Sequence, residues 1–484
     1  MKRLLFFLLV PYCMLCQIQI GNSINGEAAG DNFGDRVAIS ADGSVIIVGS
    51  KYSDSDTSNC GGVTVYRYTA GSWVQMGNRF YGQLNNELAG TSVAVSSDGN
   101  TISFSAVGNN ANGNNSGAVY IYQNIGDTWT LVGQPINGLG VGYSLGQSIS
   151  LSSDGTIIAI GAQGNNQNGS ENGQVSIFKN IANNWTQIGQ NLNGLNLNDN
   201  FGYEVSLSSD GSKLAVSSID HDANGLASGQ VRVFENVANV WMQMGQNLNG
   251  TNAQDHFGRN VRLSASGETL VVGATGTDVN GMNSGTVSIY KYESNNWNPI
   301  GTPIYGEAFS SFGWGIAISG DANVIAVGAP SAVSNHGIVK VFMNTANTWN
   351  QIGVTLQGDY YGDNFGNYLD VSKDGTTLVV GAWGSDANLS NAGQVKVYTI
   401  AALLSSDVFV LNNFSVYPNP TLNTLNINLQ EDLIFEKAII YNTLGQVLKI
   451  ETTKNIDVTN LSQGTYFIEV VSDKGKATKS FIKQ

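Results

Sequence analysis

Residues 33–50 read FGDRVAISADGSVIIVGS, and the fold is decided by how this stretch returns along the chain. Two apolar runs, RVAIS (36–40) and SVIIVGS (44–50), flank Asp42-Gly43, a pairing of strands and turn that spells a β-hairpin. GVTVYRY (62–68) and WVQMG (73–77) follow, so one repeat unit reads as four short strands with no helical periodicity. The Asp-Gly turn recurs at Asp98, Asp154, Asp210 and Asp374. Working outward, Trp73, Trp129, Trp185, Trp241 and Trp297 stand 56 residues apart, and Trp349 follows 52 later. Gly34, Gly90, Gly146, Gly202, Gly258, Gly313 and Gly366 keep the same beat, five of them after a phenylalanine. Four strands per repeat at this period predict blades of a β-propeller. The seventh repeat ends at GQVKVYTI (393–400) without its tryptophan strand. QIQIG (17–21) matches WTQIG (185–189) at three of five positions, so the N-terminal segment is expected to complete blade seven and remove an open sheet edge. The expected fold class is all-β, a seven-bladed β-propeller followed by a small immunoglobulin-like β-sandwich.

At 484 residues the chain exceeds one compact core, and 42% hydrophobic with 12% charged residues is not the profile of a disordered chain. Residues 1–16 read as a signal peptide: Lys2 and Arg3 precede the apolar run Leu4–Val10, too short to span a bilayer, which needs about 20 residues. Bulky Tyr12 and Leu15 before Cys13 and Cys16 speak against a lipid anchor there. With that leader removed, Cys60 is the one cysteine left, which excludes an intrachain disulfide and a thiolate metal cluster. Residues 17–411 hold 29 acids and 13 bases, a charge of −16, whereas 412–484 hold seven of each. The acidic part disfavours nucleic acid and anionic lipid as partners, and no transmembrane segment is expected.

FG-x-x-V-A-x-S-x-D-G, then V-G-A, then G-x-V-x-V-Y, resembles the FG-GAP repeat of integrin α-subunit propellers and bacterial surface proteins, over residues 17–400. Departures are Ala89-Gly90 and Leu145-Gly146 for Phe-Gly, and Ser217-Ser218 for Gly-Ala. After the linker 401–411, residues 412–484 resemble a type A sorting domain of type IX secretion, on FSVYPNP (414–420, with Tyr417, Pro418, Asn419 and Pro420), YNTLGQ (441–446, with Gly445), IDVTNLSQGTYF (456–467, with Gly464 and Tyr466) and Lys483. That resemblance implies a Bacteroidetes-type host, the type IX machinery as partner, and a product secreted or held at the cell surface.

Catalysis finds little support: His221, His256 and His336 lie in loops of different repeats, and no nucleophile elbow or paired-histidine motif is present. The Ser-x-Asp-Gly turns resemble sialidase boxes, but Arg36, Arg67, Arg79, Arg232, Arg259 and Arg262 show no evident cluster along the sequence. Integrin-type blades hold Ca²⁺ in Asp-rich loops, and Asp220-x-Asp222-x-Asn224-Gly225 copies the start of such a loop, with Ser228 where a further acidic ligand is usual. Asx turns account for the same pattern without a metal. In a four-stranded blade, the loop leading into strand one and the loop between strands two and three share a face. Trp314, Tyr360, Tyr361 and Trp383 fall there in blades six and seven, an aromatic set suited to a glycan or protein ligand, or else to packing between blades. The expectation is a binding or adhesion propeller. A glycan-processing enzyme and a structural surface-layer component are the alternatives.

Overall fold

The computed structural model describes residues 17–55, 57–164, 172–400, 414–429, 434–442, 446–472 and 475–484. The segment 1–16 expected to be a signal, the expected linker 401–411 and Gly445 lie outside the described residues. Two compact units are present, one spanning Gln17–Thr399 and one containing Ile400–Gln484.

In the first unit seven antiparallel sheets follow one another along the chain. The sheet opening at Arg36–Ile39 continues through Val45–Ser50, Gly62–Thr69 and Ser72–Gln75, the four strands read from the sequence. A two-residue strand, Phe80–Tyr81, adds to it, because the eight-residue third strand outruns its four-residue neighbour and Gly62 and Val63 still need partners. Five other sheets gain the same addition, while in the sixth the single strand Thr348–Gln357 covers the whole length through a bulge. That sixth sheet's loop also holds one helical turn, Ala332–Asn335.

The seven sheets are joined head to tail by a closed circuit of backbone hydrogen bonds. Ala41 donates to Ser97, Ser97 to Ser153, Ser153 to Ser209, Ser209 to Ala265, Ala265 to Gly320, Gly320 to Lys373, and Lys373 back to Ala41, at 2.8–3.1 Å. The residues that set the repeat sustain this approach. Gly202 has φ +87°, and a Cβ on Gly161 of the preceding sheet would stand 2.1 Å from its carbonyl oxygen. The tryptophans act one sheet further out. Trp129 Nε1 donates to Met76 O at 2.9 Å, Trp185 to Val132 O at 2.9 Å, and Trp241 to Ile188 O at 3.2 Å.

The N-terminal segment fits this scheme. Ile18 pairs with Thr399 and Gln19 with Tyr398, and Ile20 O accepts from Trp73 Nε1 at 3.1 Å, as Ile188 O does from Trp241. Gln17, standing where other repeats carry tryptophan, is buried and exchanges two 3.0 Å hydrogen bonds with the backbone of Val354. Apolar residues between neighbouring sheets form the core, and Cys60 is buried within the first sheet's loop.

The second unit pairs Phe414–Tyr417, Thr424–Leu429 and Asn455–Asp457 in one sheet, and Val447–Glu451, Phe435–Tyr441, Gly464–Ser472 and Gly475–Lys483 in another. Leu425, Ile427, Ile440, Ile456, Ile468 and Phe481 share one core between them. Among the described residues no helix is long and apolar enough to cross a membrane.

Candidate functional site

Alternation along the first strand of each sheet sends Val37 and Ile39 into the core and leaves Arg36 and Ala38 on the opposite side. Equivalent positions from six of the seven sheets line one cavity of about 180 Å³, with Arg36, Ser92, Ser150, Glu204, Arg262, Tyr368 and Asp370 on its wall. Small residues dominate because the strands crowd the axis, and two serines there also knit neighbouring sheets: Ser150 Oγ accepts from Leu207 N and Ser206 Oγ from Leu263 N, both at 2.9 Å. Asp370 does the same for Ile39 N at 3.0 Å, and burial raises its carboxyl pKa with Arg262 opposing. Arg262 meets Glu204 at 2.6 Å; burial works against its charge, yet the Glu204 carboxylate outweighs that and holds the guanidinium pKa up.

A smaller cavity of about 110 Å³, sharing Leu151 with the first, is lined by Lys373, whose Nζ donates to Ser209 Oγ at 2.8 Å and to Ser153 Oγ. At the first cavity, the Arg36 guanidinium lies 3.6 Å over Tyr368, and Arg259 lies 3.7 Å over Trp314 and 4.9 Å from the Tyr203 ring. Three of the six arginines of residues 17–411 thus gather at one place, a correction to their scattered look along the chain. The signal was there in the phase of the repeat. Arg36, Glu204, Asn260 and Tyr368 each stand two residues after the marker glycine, and Arg262 and Asp370 four after.

The two loop classes do share a face, since each loop leading into a first strand is bonded to the preceding sheet's two–three loop. Gln254 N donates to Leu226 O and Phe309 N to Met282 O, both at 2.7 Å. On this face Tyr360 and Tyr361 are 59% and 71% exposed, joined by Leu197, Leu226, Met282 and Phe309. Trp383 is half-buried, and its neighbour Gly384 bonds to Asp363 O, whose carboxylate also accepts from Tyr360 N. Trp314 differs: one face is covered by Arg259. Among the described residues no ring contact joins these four aromatics.

The loop proposed for Ca²⁺ is tied to the surrounding backbone by hydrogen bonds. Asp222 Oδ1 accepts from Ala227 N at 2.8 Å, and Asn224 Nδ2 donates to Gly250 O at 2.7 Å. Asp220 instead accepts from Asn200 and lies 3.7 Å from His256 Nδ1. The pattern of Asp222 and Asn224 repeats at Asn110 and Asn112, Asp278 and Asn280, and Asp386 and Asn388. Neutral Asn110 takes the same place as an aspartate, so the same hydrogen-bonded turn forms in all four repeats. Among the described residues no three His, Cys, Asp or Glu side chains group as metal ligands.

In the second unit, Asn419 sits against the last strand, accepting from Ile482 N at 2.9 Å and donating to Ser480 O at 3.2 Å. The peptide bonds preceding Pro418 and Pro420 are cis. Lys483 is buried, bridged to Thr421, and Tyr466 stacks on Phe481 while its hydroxyl donates to Ser462 O. Tyr417 is exposed and Gly464 opens the long strand to Ser472.

The chain is all-β, made of antiparallel sheets with a propeller-like likeness among solved structures. Hydrazine synthase from Kuenenia stuttgartiensis is similar over 78% of this chain and 97% of that one, at 12% identity and a TM-score of 0.51. A putative 6-phosphogluconolactonase from Bacteroides fragilis is similar over 71% and 94%, at 12% identity and a TM-score of 0.48. TolB from Acinetobacter baumannii is similar over 62% and 60%, at 13% identity and a TM-score of 0.38. No curated protein matches the sequence. Residues 249–290 match the FG-GAP repeat, and residues 415–484 match the secretion system C-terminal sorting domain. The chain therefore carries an FG-GAP repeat and a type IX sorting tail, which sends it to the cell surface or the extracellular space.

Proposed function

We propose that residues 17–400 form a seven-bladed propeller serving as a non-enzymatic recognition or adhesion module, delivered by an immunoglobulin-like sorting domain at 412–484 after loss of the signal 1–16. The closed hydrogen-bond circuit through seven sheets supports the ring. The observation that carries the binding role is the exposed apolar rim: Tyr360 and Tyr361 at 59% and 71% exposure, with Leu226, Met282 and Phe309, at the loop tips of one face. Aromatic and aliphatic side chains held at loop tips on a rigid scaffold are what stacking on sugar rings or docking to protein requires.

A glycan and matrix-protein binding array with the full chain tests this. A ligand whose binding drops at least tenfold in Tyr360→Ala/Tyr361→Ala supports the rim. Binding unaffected by that pair moves the site elsewhere. Absence of any ligand, with self-assembly into sheets, favours the surface-layer alternative. The enzyme alternative draws on Glu204 and Asp370 in the axial cavity. There, however, Glu204 is occupied by Arg262, and Asp370 accepts from the backbone N–H groups of Ile39 and Val371.

A further inference from the structure

The arginine cluster at the axial cavity carries more positive charge than it neutralises. Arg262 is matched by Glu204 at 2.6 Å. Arg36 is matched only loosely: Asp35 reaches it at 4.0 Å while pairing with Lys51 at 2.9 Å, the Asp35 carbonyl accepts from it at 3.4 Å, and Glu204 attracts it from further off. Arg259 has no carboxylate within 4.0 Å among the described residues. This happens in a region with 29 acids against 13 bases, where acidic partners are abundant. Both guanidiniums are laid against aromatic faces, Arg36 on Tyr368 and Arg259 between Trp314 and Tyr203. A ring satisfies the face of a guanidinium and holds it in place, while its in-plane N–H donors stay available. A third donor, Trp314 Nε1, is buried with no acceptor. Both arginines also act electrostatically on the phenols of Tyr203 and Tyr368, so they belong to one local field. A separate, smaller cavity that shares Leu151 with this one is lined by Lys373, bonded to Ser153 and Ser209.

A donor-rich, preoriented cluster beside a cavity of about 180 Å³, which Arg36 and Tyr368 line, calls for a small anion with paired acceptor oxygens. We propose that this cluster binds a carboxylate-bearing small molecule, an acidic sugar or a free organic acid, with Arg36 and Arg259 as its anchors and Trp314 Nε1 as a supporting donor. The site is built from Arg36, Arg259 and Trp314 and uses neither Tyr360 nor Tyr361.

The test is calorimetric titration of the full chain with D-glucuronate, N-acetylneuraminate and succinate, with D-glucose as the uncharged match to glucuronate. At least one carboxylate is expected to bind saturably and glucose not at all. Succinate alone would identify a free acid, and the sugar acids alone a glycan end. Arg36→Met and Arg259→Met should each weaken binding tenfold or more, and Arg67→Met, on an outer strand, should leave it unchanged. Should a methionine variant fail to fold, Arg259→Lys keeps the charge but loses the planar fork, and it too should weaken binding. Binding of glucose equal to glucuronate, binding that survives the folded Arg36 and Arg259 variants, or no binding by any of the three acids overturns the proposal. Loss of array ligands in Tyr360→Ala/Tyr361→Ala with carboxylate binding intact would separate this site from the rim.

Discussion

The unit Gln17–Thr399 and the tail at 414–484 are both antiparallel β, yet they treat their strand edges in opposite ways. In the first, the hydrogen-bond circuit runs from sheet to sheet and returns to its start, and the chain's two ends are paired at Ile18 and Thr399. In the tail, Val447–Glu451 is left as an edge strand with Val447, Leu448 and Ile450 exposed, and the opposite edge, Gly475–Lys483, carries Lys476, Lys479 and Lys483. Lysines on an edge discourage adventitious strand pairing without closing it. Charge divides the same way, −16 over residues 17–411 against balance over 412–484. A ring has no free edge to defend and tolerates strong self-repulsion; a small two-sheet unit must manage both.

The largest expected effects fall on the two ends of the comparison. A chain ending at Leu411 should lose export altogether in a type IX host and accumulate in the periplasm, while its melting temperature matches that of the propeller transition in the full chain. Normal levels in the medium would contradict the sorting role. Deleting Gln17–Gly21 should do the reverse. It removes the pairing to Thr399 and Tyr398, the acceptor of Trp73 Nε1 and the Gln17 bridge to Val354, and should cost on the order of 4 kcal/mol or more. An unchanged thermal transition would break the closure.

Acid should separate the units next. In the turns of six sheets, Asp42, Asp98, Asp154, Asp210, Asp321 and Asp374 accept from a serine hydroxyl and from backbone N–H groups; burial opposes their charge, but the hydrogen bonds outweigh it and hold each pKa below the usual value. A depressed folded pKa gives stability that is present above the unfolded value of about 3.9 and lost as pH falls through the folded one. Asp31 and Asp370, raised by burial, act in the opposite sense at higher pH, adding stability as pH falls through their raised values. The propeller should therefore hold steady or gain slightly down to about pH 4 and then fall steeply. The tail, with Asp457 held low by Thr459, should decline less. Urea titrations at stepped pH, followed separately for the two units, check the order.

Smaller still is the tryptophan bond. Trp129 and Trp349 are both half-buried, but Trp129 Nε1 donates to Met76 O whereas Trp349 Nε1 is buried without an acceptor. Trp129→Phe should cost about 1 kcal/mol more than Trp349→Phe. Equal costs would mean that packing alone, not the bond, sets the phase of the repeat. The smallest effect concerns Ca²⁺. Millimolar Ca²⁺ should shift the melting temperature equally in wild type and in Asp220→Ala/Asp222→Ala, as screening of the −16 surface requires. A shift confined to wild type would restore a metal to this loop.

Strand order, the repeat and the strand supplied by QIQIG were legible because each rests on local pattern: alternation of period two, an Asp-Gly turn, and a fixed distance between Trp and Gly. The sorting motif was legible as a string, although its packing was not; that Asn419 grips Ile482 and Ser480 depends on two segments 61 and 63 residues apart. The loop at Asp220 reads two ways because an Asx turn and a cation loop use the same residue types, and they differ only in where the oxygens point. The arginine cluster was hidden for a related reason. Arg36 and Arg259 are more than two hundred residues apart in sequence and meet solely because the ring closes. By itself, then, the sequence determined the all-β strands, the repeat and the route of export, all carried by short-range spacing. Only the tertiary structure decided which charges find a partner and which do not, because pairing depends on distances across the axis, and those exist only once all seven sheets stand around it.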